Sequence, residues 1–317
     1  LLLISIHISG KEKVNGKDRD YSYEPYYEDG PPSKVRSYGN YEIRERGPKA
    51  PTYSLEMYGR ISSSYLWRNV TRNDGPVSEA GFALLASNLT FTLTTFMDLS
   101  DYGTDAGYGD QSFEFTEMDL AISYENKWNF ILYEVELKHY LFPSKFTPLN
   151  SKGRLTNNAT TELNFLVGCD VLLNPSLLIS FDIDESKGMY FELGASHSIT
   201  KKFWNIPTRI NIGGGLGIGS AEFNDYQFGV DSFAATGITL RTNWEWMFKP
   251  NMILTPEIGV SFPFDSKITD AMDKADNIQS SSMTVYFSLK FVFTMYIKTI
   301  LTKITKQLFL YQTPPFL

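Results

Sequence analysis

Carboxylate and basic side chains recur at every second position in several segments of this sequence. The candidate set is Glu117, Asp119, Glu134, Glu136, Lys138, Glu162, Asp182, Asp184, Glu192, Arg209 and Arg241. Successive side chains of a β-strand point to opposite faces, so residues two positions apart share one face. Such a face attracts ions, and because acidic residues outnumber basic ones in this set, we expect a preference for cations.

Four of these carboxylates, Glu162, Asp182, Asp184 and Glu192, fall on three segments that follow one another in the chain. Facing carboxylates repel each other, so one of them either stays protonated or shares a cation with its neighbours. Their spacing matches no Ca²⁺-binding loop motif. The sequence therefore favours ordinary charge on the polar, lumen-facing side of the strands, with no resident metal or cofactor.

The composition favours β structure and excludes several classes of protein. Aromatic residues make up 15% of the chain, and the net charge is -7. This acidic balance gives no general attraction to nucleic acid. The single cysteine, Cys169, excludes an internal disulfide framework or a cysteine-based metal cluster. No segment offers the roughly 18 consecutive apolar residues of a transmembrane helix.

Alternating apolar and polar residues form twelve segments after Tyr53, separated by clusters of Asn, Asp, Gly, Pro and Lys. We predict strands at 55–67, 77–86, 89–98, 113–125, 128–140, 160–172, 177–184, 189–199, 208–218, 232–248, 252–262 and 283–293. The connections between them alternate between short turns and longer loops. This is the pattern of outer-membrane barrels, which carry short turns on one rim and long loops on the other.

The apolar faces of these strands meet either lipid or the core of a soluble β-sandwich, and alternation alone does not distinguish the two. Strands of about ten residues match a tilted membrane crossing. Aromatic residues such as Trp67, Trp128 and Tyr140 lie near predicted strand ends, as an interfacial girdle requires. The last strand ends in Phe293, which resembles the terminal signature read by the barrel-assembly machinery. These features favour an all-β fold with a single up-and-down, antiparallel transmembrane β-barrel.

The chain divides into three parts. Residues 1–52 begin with a short apolar stretch resembling the end of a signal peptide, and continue as a polar segment predicted to be disordered. Residues 53–293 form the predicted barrel. Residues 294–317 are a basic tail without acidic residues, either a short amphipathic helix on the membrane surface or an artefact of the gene model.

Two further motifs have alternative interpretations. One type of twelve-stranded outer-membrane barrel is a phospholipase with Ser and His on its outer face, and His139 and His197 are the histidines of the predicted barrel. Ser196 and Ser198 flank His197, but strand neighbours point to opposite faces and cannot form a nucleophile–base pair. The glycine-rich run at 213–219 lacks the Lys and helix of a phosphate-binding loop, and we interpret it as a strand of strong curvature or close backbone approach.

Several runs of sequence carry a family resemblance. They are YLWRNVTRNDGPV at 65–77, FTLTTFMDLSD at 91–101, FTEMDLAISYE at 115–125, HYLFP at 139–143, TTELNFLVGCDVLLNPSLLISFDID at 160–184 and GMYFELGASHSI at 188–199. In order and spacing this chain resembles the Gcw-type family of bacterial outer-membrane proteins, known mainly as conserved hypotheticals. The resemblance implies a barrel in the outer membrane. It brings no established activity and no catalytic residues.

The function expected from these observations is a porin-like passive channel for small, cationic solutes in the bacterial outer membrane. The expected partners are the lipid bilayer, lipopolysaccharide, the barrel-assembly machinery and small solutes, with no nucleic acid. The first alternative is a non-conducting structural or surface-interaction barrel, and the lumen charges are equally able to pair into a network that plugs a narrow twelve-stranded barrel. A lipid-active enzyme is the second and less favoured alternative. The sequence predicts no enzymatic activity.

Overall fold

The structure is a computed structural model that describes residues 34–38, 41–45, 53–73, 75–100, 113–143, 159–249, 251–274 and 283–296. Its strands are β1 Lys34–Tyr38, β2 Tyr41–Glu45, β3 Tyr53–Ser62, β4 Tyr65–Trp67, β5 Val70–Asn73, β6 Val77–Ala86, β7 Leu89–Asp98, β8 Phe115–Trp128, β9 Ile131–Leu141, β10 Ala159–Cys169, β11 Ser176–Asp182, β12 Met189–Phe203, β13 Ile206–Gly219, β14 Ala234–Lys249, β15 Met252–Phe262 and β16 Thr284–Tyr296. Its helices are α1 Ala221–Phe228 and α2 Ser266–Lys274. Most of the predicted basic tail, residues 297–317, lies outside the described residues, as do residues 1–33.

Twelve of the described strands form one closed antiparallel barrel. Strand β3 is followed around the barrel by β6 and then by every strand to β16 in chain order. Pairing of β16 with β3, with Phe293 opposite Met57, closes the sheet. Closure satisfies the backbone hydrogen bonds of both edges, which a sheet in lipid requires. The predicted fold class is confirmed, and β6, β7 and β15 begin and end at the predicted residues.

The two rims of the barrel differ. Strand pairs such as β6–β7 and β12–β13 are joined by two-residue turns, at residues 87–88 and 204–205. The other rim carries the connections that contain β4 and β5, α1 and α2. Both Tyr53, where β3 begins, and Tyr296, where β16 ends, lie at the short-turn rim. In outer-membrane barrels the short turns are periplasmic and the long loops extracellular.

Apolar side chains cover the outside of the barrel. Phe82, Leu137, Leu193, Leu240 and Phe287 are all exposed in the isolated protein, with Leu193 52% exposed. A soluble protein seldom exposes such a continuous apolar surface, whereas lipid covers it in a membrane barrel. The surface and the closed sheet together place the protein in the outer membrane. In the described part of the chain, neither helix is long and apolar enough to cross a bilayer.

The predicted first strand, 55–67, was wrong in its second half. Strand β3 ends at Ser62, and β4 pairs with β5 as a separate two-stranded hairpin. Its turn residues Arg68 and Asn69 have φ values of 51° and 66°. Positive φ at both central residues is the type I′ geometry, whose twist matches that of the flanking strands. The chain therefore reverses direction where the sequence pattern alone favoured continuation.

Ten residues of the segment 1–52, which the sequence predicts to be disordered or loosely attached, form two short strands. Strands β1 and β2 pair along their whole length, from Lys34 opposite Glu45 to Tyr38 opposite Tyr41. Strand β1 also contacts β12 and β13 of the barrel. A short polar hairpin is marginal alone, so contact with a larger sheet is what makes this one possible.

Candidate functional site

The charged residues predicted to line the lumen do point into the barrel, with one exception. On β9, Leu132 and Tyr140 are buried inside, whereas Val135 and Leu137 are exposed outside. Side chains at even positions of β9 therefore face the lumen, and cross-strand partners share that face. The inward residues are Glu117, Asp119, Glu134, Glu136, Lys138, Glu162, Asp182, Glu192, Arg209 and Arg241. The prediction was wrong for Asp184, because β11 ends at Asp182 and Asp184 is an exposed loop residue.

Basic and acidic side chains alternate on one half of the lumen, formed by β13 to β16, β3 and β6, which we call the balanced wall. The ion pairs that line it are Arg209–Glu245 at 3.2 Å, Arg241–Glu257 at 3.6 Å and Arg60–Glu79 at 3.3 Å. Each arginine is thus paired with a carboxylate on the neighbouring strand. The field of this wall at a distance is small because its charges cancel pairwise.

The opposite half, formed by β8 to β12, carries the acidic excess, and we call it the acidic wall. Its inward carboxylates are Glu117, Asp119, Glu125, Glu134, Glu136, Glu162, Asp182 and Glu192. Lys138 faces them and its ammonium lies 2.8 Å from the Asp119 carboxylate. The amide of Asn164 donates to Glu136 at 3.0 Å. Carboxylates still outnumber basic side chains on this wall, so the lumen is electrostatically lopsided.

The hairpin β4–β5 fills the long-loop end of the lumen, and we call residues 65–73 the plug hairpin. Its Tyr65 hydroxyl donates to Glu117 of β8 at 3.1 Å. Thr71 bonds Thr284 of β16 at 2.7 Å. Ser261 of β15 donates to the carbonyl of Asn69 at 2.9 Å. These contacts come from both walls, so the plug hairpin spans the lumen from side to side.

Tyr65 is suited to its contact as a neutral donor. Burial raises the pKa of its hydroxyl well above the usual value, and the charges of Glu117 and Asp119 raise it further. The phenol therefore keeps its proton at neutral pH and donates it to the Glu117 carboxylate. Its ring also packs against Phe96, with centroids 4.8 Å apart. One side of the plug hairpin is thus fixed by a hydrogen bond and an aromatic contact.

Arg68, at the tip of the plug hairpin, occupies a cage of aromatic rings. Its guanidinium carbon lies 4.4 Å from the ring centroid of Trp67, 4.7 Å from that of Tyr190 and 5.3 Å from that of Phe223. One guanidinium nitrogen lies 2.5 Å from the carboxylate of Glu162. The Arg68 side chain is only 6% exposed and that of Glu162 only 3%. An ion pair this well desolvated is strong only when its geometry is good, as here.

A cavity of about 460 Å³ lies against the plug hairpin. Glu134, Leu166 and Leu178, which line it, are close to the strand ends at the short-turn rim. Arg60, Lys138 and other side chains of both walls line its middle, and residues 64–69 bound it on the loop side. The cavity therefore extends from near the short-turn rim, alongside the plug hairpin, to the long-loop ends of β6 and β16, where Val77 and Tyr286 line it. Glu134 and Glu136 of the acidic wall both face it.

Glycines of β13 make room for the plug hairpin and for α1. A side chain at Gly217 would collide with Asn69, Thr236 and Tyr190, and one at Gly219 would collide with Asn224 of α1. The glycine-rich run therefore lies inside a strand, as the sequence predicted. Its inward positions are small because other parts of the chain approach them closely.

The loops at the outer mouth pack together. Ser220 caps α1, accepting a bond from the amide of Phe223, and Phe223 packs on the buried Tyr190 with ring centroids 5.4 Å apart. Ile268 of α2 is fully buried in a second apolar cluster with Ala234. The outer mouth is thus covered by α1 and α2 above the plug hairpin.

The four carboxylates considered as a cation site are used in other ways. Glu162 binds Arg68, and Asp182 accepts the backbone amides of Asp184 and Glu185 at 2.9 and 3.0 Å, which orders the loop after β11. Glu192 accepts from the Tyr190 hydroxyl at 3.1 Å. Within the described ranges, no three His, Cys, Asp or Glu side chains converge to hold a metal ion.

The histidines of the barrel lie on its lipid face. His197 points outward, and its neighbours Ser196 and Ser198 point into the lumen, where Ser198 bonds Asn211 at 2.6 Å. His139 bonds Thr161 on the adjacent strand at 2.9 Å. The neighbouring serines thus face away from His197, as the sequence predicted.

The residues that shape the lumen most were missed by sequence reasoning. They are Tyr65, Arg68, Asn69 and Arg72 of the plug hairpin, with Tyr190 and Phe223 that receive them. Two signals were present in the sequence. Three serines at 62–64 interrupt the predicted first strand, and Arg68-Asn69 separates two short segments with apolar residues. Asn readily adopts positive φ, so a tight turn was a reasonable alternative there.

No family model matches this chain, and no curated protein matches it. The resemblance to the Gcw-type family therefore stays a prediction. Among solved structures the chain is similar to the KdgM porin in complex with disordered oligogalacturonate, with 10% identity, a TM-score of 0.41 and coverage of 76% of this chain and 98% of that one. It is similar to the NanC porin with 9% identity, a TM-score of 0.44 and coverage of 75% and 98%.

An outer-membrane channel from Pseudomonas putida F1 gives 12% identity, a TM-score of 0.41 and coverage of 77% and 96%. At such scores these similarities carry no argument about solute or activity. The closed sheet and the lipid-facing apolar surface make the case for the fold and the location independently. The protein is a twelve-stranded outer-membrane β-barrel whose loop-side lumen is filled by its own hairpin.

Proposed function

We propose that this protein is a passive outer-membrane channel for small solutes, with a preference for cations. The observation that carries the proposal is the acidic wall. It lines one side of the 460 Å³ cavity, and the balanced wall lines the other. A lumen with more carboxylates than basic side chains concentrates cations and excludes anions. The plug hairpin is the constriction, and its displacement opens the path to the outer mouth.

The mechanism requires no chemical step. A cation entering from the periplasmic side meets Glu134 and Glu136 in the cavity and then the plug hairpin. The hairpin is tied by hydrogen bonds to both walls, so passage requires these bonds to break or rearrange. Motions of such loops take place on microsecond to millisecond scales. We expect brief openings between long closed periods.

The test is the reversal potential of the refolded full chain in a planar bilayer with a salt gradient. Glu134→Gln with Glu136→Gln removes two carboxylates from the cavity. Unit charges about 8 Å from a passing ion contribute roughly 0.5 kcal/mol each in a water-filled lumen. Each carboxylate stabilises a cation and destabilises an anion by this amount, so removing two changes the cation-to-anion difference by about 2 kcal/mol, and we expect the permeability ratio to fall by up to about 30-fold.

Asp184→Asn with Glu114→Gln is the matched control, because it removes two carboxylates exposed outside the cavity. We expect this control to leave the reversal potential near that of the parent. If both double variants behave like the parent, the assignment of Glu134 and Glu136 as selectivity residues is wrong.

A non-conducting structural or surface-interaction barrel is the second candidate. The observation in its favour is that the plug hairpin contacts β8, β10, β12, β14, β15 and β16, nearly the whole circumference. Protein that is folded in detergent, shown by its heat-modifiable mobility, and still silent in bilayers would establish this alternative. In either case we propose lipopolysaccharide and the barrel-assembly machinery as partners, as for other barrels with extracellular loops.

A further inference from the structure

We propose that Tyr190, Phe223 and Glu162 form a binding site for a guanidinium or similar planar organic cation. In the present structure Arg68 of the plug hairpin is the resident cation of this site. A solute of that class would compete with Arg68 and release the hairpin tip. The competition deepens the proposed channel function and rests on it, whereas the binding site itself does not.

The site is built from parts of the molecule that remain when the plug hairpin leaves. Tyr190 belongs to β12, Phe223 to α1 and Glu162 to β10, and all three are nearly fully buried. The hydroxyl of Tyr140 on β9 donates to the Glu162 carboxylate at 2.9 Å and fixes its position. Trp67 is the wall that moves with Arg68, since both belong to the hairpin. Two rings and an oriented carboxylate therefore stay in place.

The chemistry of these walls selects the ligand class. Aromatic faces attract cations electrostatically, most strongly in desolvated positions. A guanidinium is planar, weakly hydrated and able to stack on a ring while donating to a carboxylate. An inorganic divalent cation prefers several oxygen ligands and would have to shed its water against Tyr190 and Phe223, which offer few. The geometry thus favours a guanidinium over a metal ion.

Arg68 is covalently tethered, and this sets the concentration at which a free solute competes. A tethered group within reach of its site acts at an effective concentration in the millimolar range or above. A free monovalent ligand must therefore reach about that concentration to displace Arg68. Removing the Arg68 side chain removes this competitor, so the variant is expected to bind the same ligand at lower concentration.

The experiment uses the full chain folded in detergent, with methylguanidinium as the probe and NaCl added to hold the ionic strength constant. Arg68→Ala empties the cage of its resident cation. We expect methylguanidinium to raise the thermal unfolding temperature of this variant in a saturable manner, with half-saturation at least tenfold below that of the parent. Sodium and methylammonium serve as control cations and should stabilise the variant little.

Second variants test the walls of the site. Arg68→Ala combined with Glu162→Gln, or with Phe223→Ala, should abolish the saturable response. If Arg68→Ala does not fold, Arg68→Gln retains a planar uncharged head group and takes its place in the same titration. Absence of a saturable response in the folded variant overturns the proposal, and so does an equal response after Glu162→Gln.

Competition is measured separately on the parent protein in bilayers. We expect millimolar methylguanidinium to increase the fraction of time that channels are open. Saturable binding to the Arg68 variant, together with channels that do not respond in the parent, would retain the site and overturn the competition. Parent protein silent in bilayers would refute the channel, while the titration in detergent still decides the binding site.

Discussion

Gly217 gives the sharpest test of how the plug hairpin is seated. It lies on the inner face of β13, and an alanine methyl there would lie 2.5 Å from the Tyr190 hydroxyl oxygen and closer still to Asn69 and Thr236. Ordinary contacts with a methyl group are at least about 3.4 Å, so all three groups must give way by roughly 1 Å. Asn69, at the tip of the hairpin, is the one not fixed in the barrel wall.

The magnitude follows from two contributions. Overpacking of a filled interior costs about 1 to 3 kcal/mol. Withdrawal of Asn69 also breaks its 3.0 Å hydrogen bond to Tyr190, and a buried polar group left unpaired costs about 1 to 3 kcal/mol. Taking about 3 kcal/mol in total, Gly217→Ala shifts the ratio of docked to undocked hairpin by about two orders of magnitude.

The assay is channel recording of Gly217→Ala in planar bilayers, with the thermal unfolding temperature measured in parallel. We expect a longer open time and a lower unfolding temperature than in the parent. Gly59→Ala on β3 is the control, because a methyl group there finds its nearest heavy atom, the carbonyl oxygen of Glu79, at 3.9 Å. If Gly217→Ala matches both the parent and Gly59→Ala in both measurements, the described seating of the hairpin is refuted.

Two other predictions concern the loops and the lipid face. The pKa of Glu222 is lowered by hydrogen bonds from its own backbone amide and from the Ser220 hydroxyl. These bonds therefore stabilise α1 against local unfolding above the unfolded pKa near 4.5, and the stabilisation is lost as the pH falls through the lower, folded pKa. Hydrogen exchange of the α1 amides at several pH values checks this, and Glu222→Gln should remove the pH dependence. Leu137→Arg places a charge on the lipid face near the middle of β9 and should destabilise the folded barrel in bilayers by about 2 to 4 kcal/mol. Leu173→Arg, in a turn at the rim, is the control and should cost about 0 to 1 kcal/mol.

The barrel was predictable from the sequence because the alternation that specifies each strand is visible within a short segment of the chain. Each strand lies between lipid on one side and a polar lumen on the other, which imposes an alternation of apolar and polar residues along it. In β15 the outward residues are Leu254, Ile258 and Val260, and the inward ones are Thr255, Glu257 and Ser261. The same register placed the inward charges correctly. Its failure at Asp184 came from the end of a strand, where Asp182 binds loop amides and the alternation stops.

The pairing of these charges was not predictable. Which carboxylate meets Arg241 depends on the stagger of β14 and β15, where Asn243 and not Arg241 lies directly opposite Glu257. The path of the plug hairpin was equally hidden. Residues 65–67 continue the alternating pattern of the preceding strand. The direction of the hairpin is instead decided by Tyr190, Phe223 and Gly217, far away in the chain.

The position of the plug hairpin in the chain has a consequence for assembly. It connects β3 to β6, the first two barrel strands, yet its bonds are to β8 through β16. The full set of these bonds therefore forms only in a sheet that extends from β8 to β16, and the Thr71–Thr284 bond forms only once β16 has joined it. Complete docking of the hairpin thus reports that the last strand is in place.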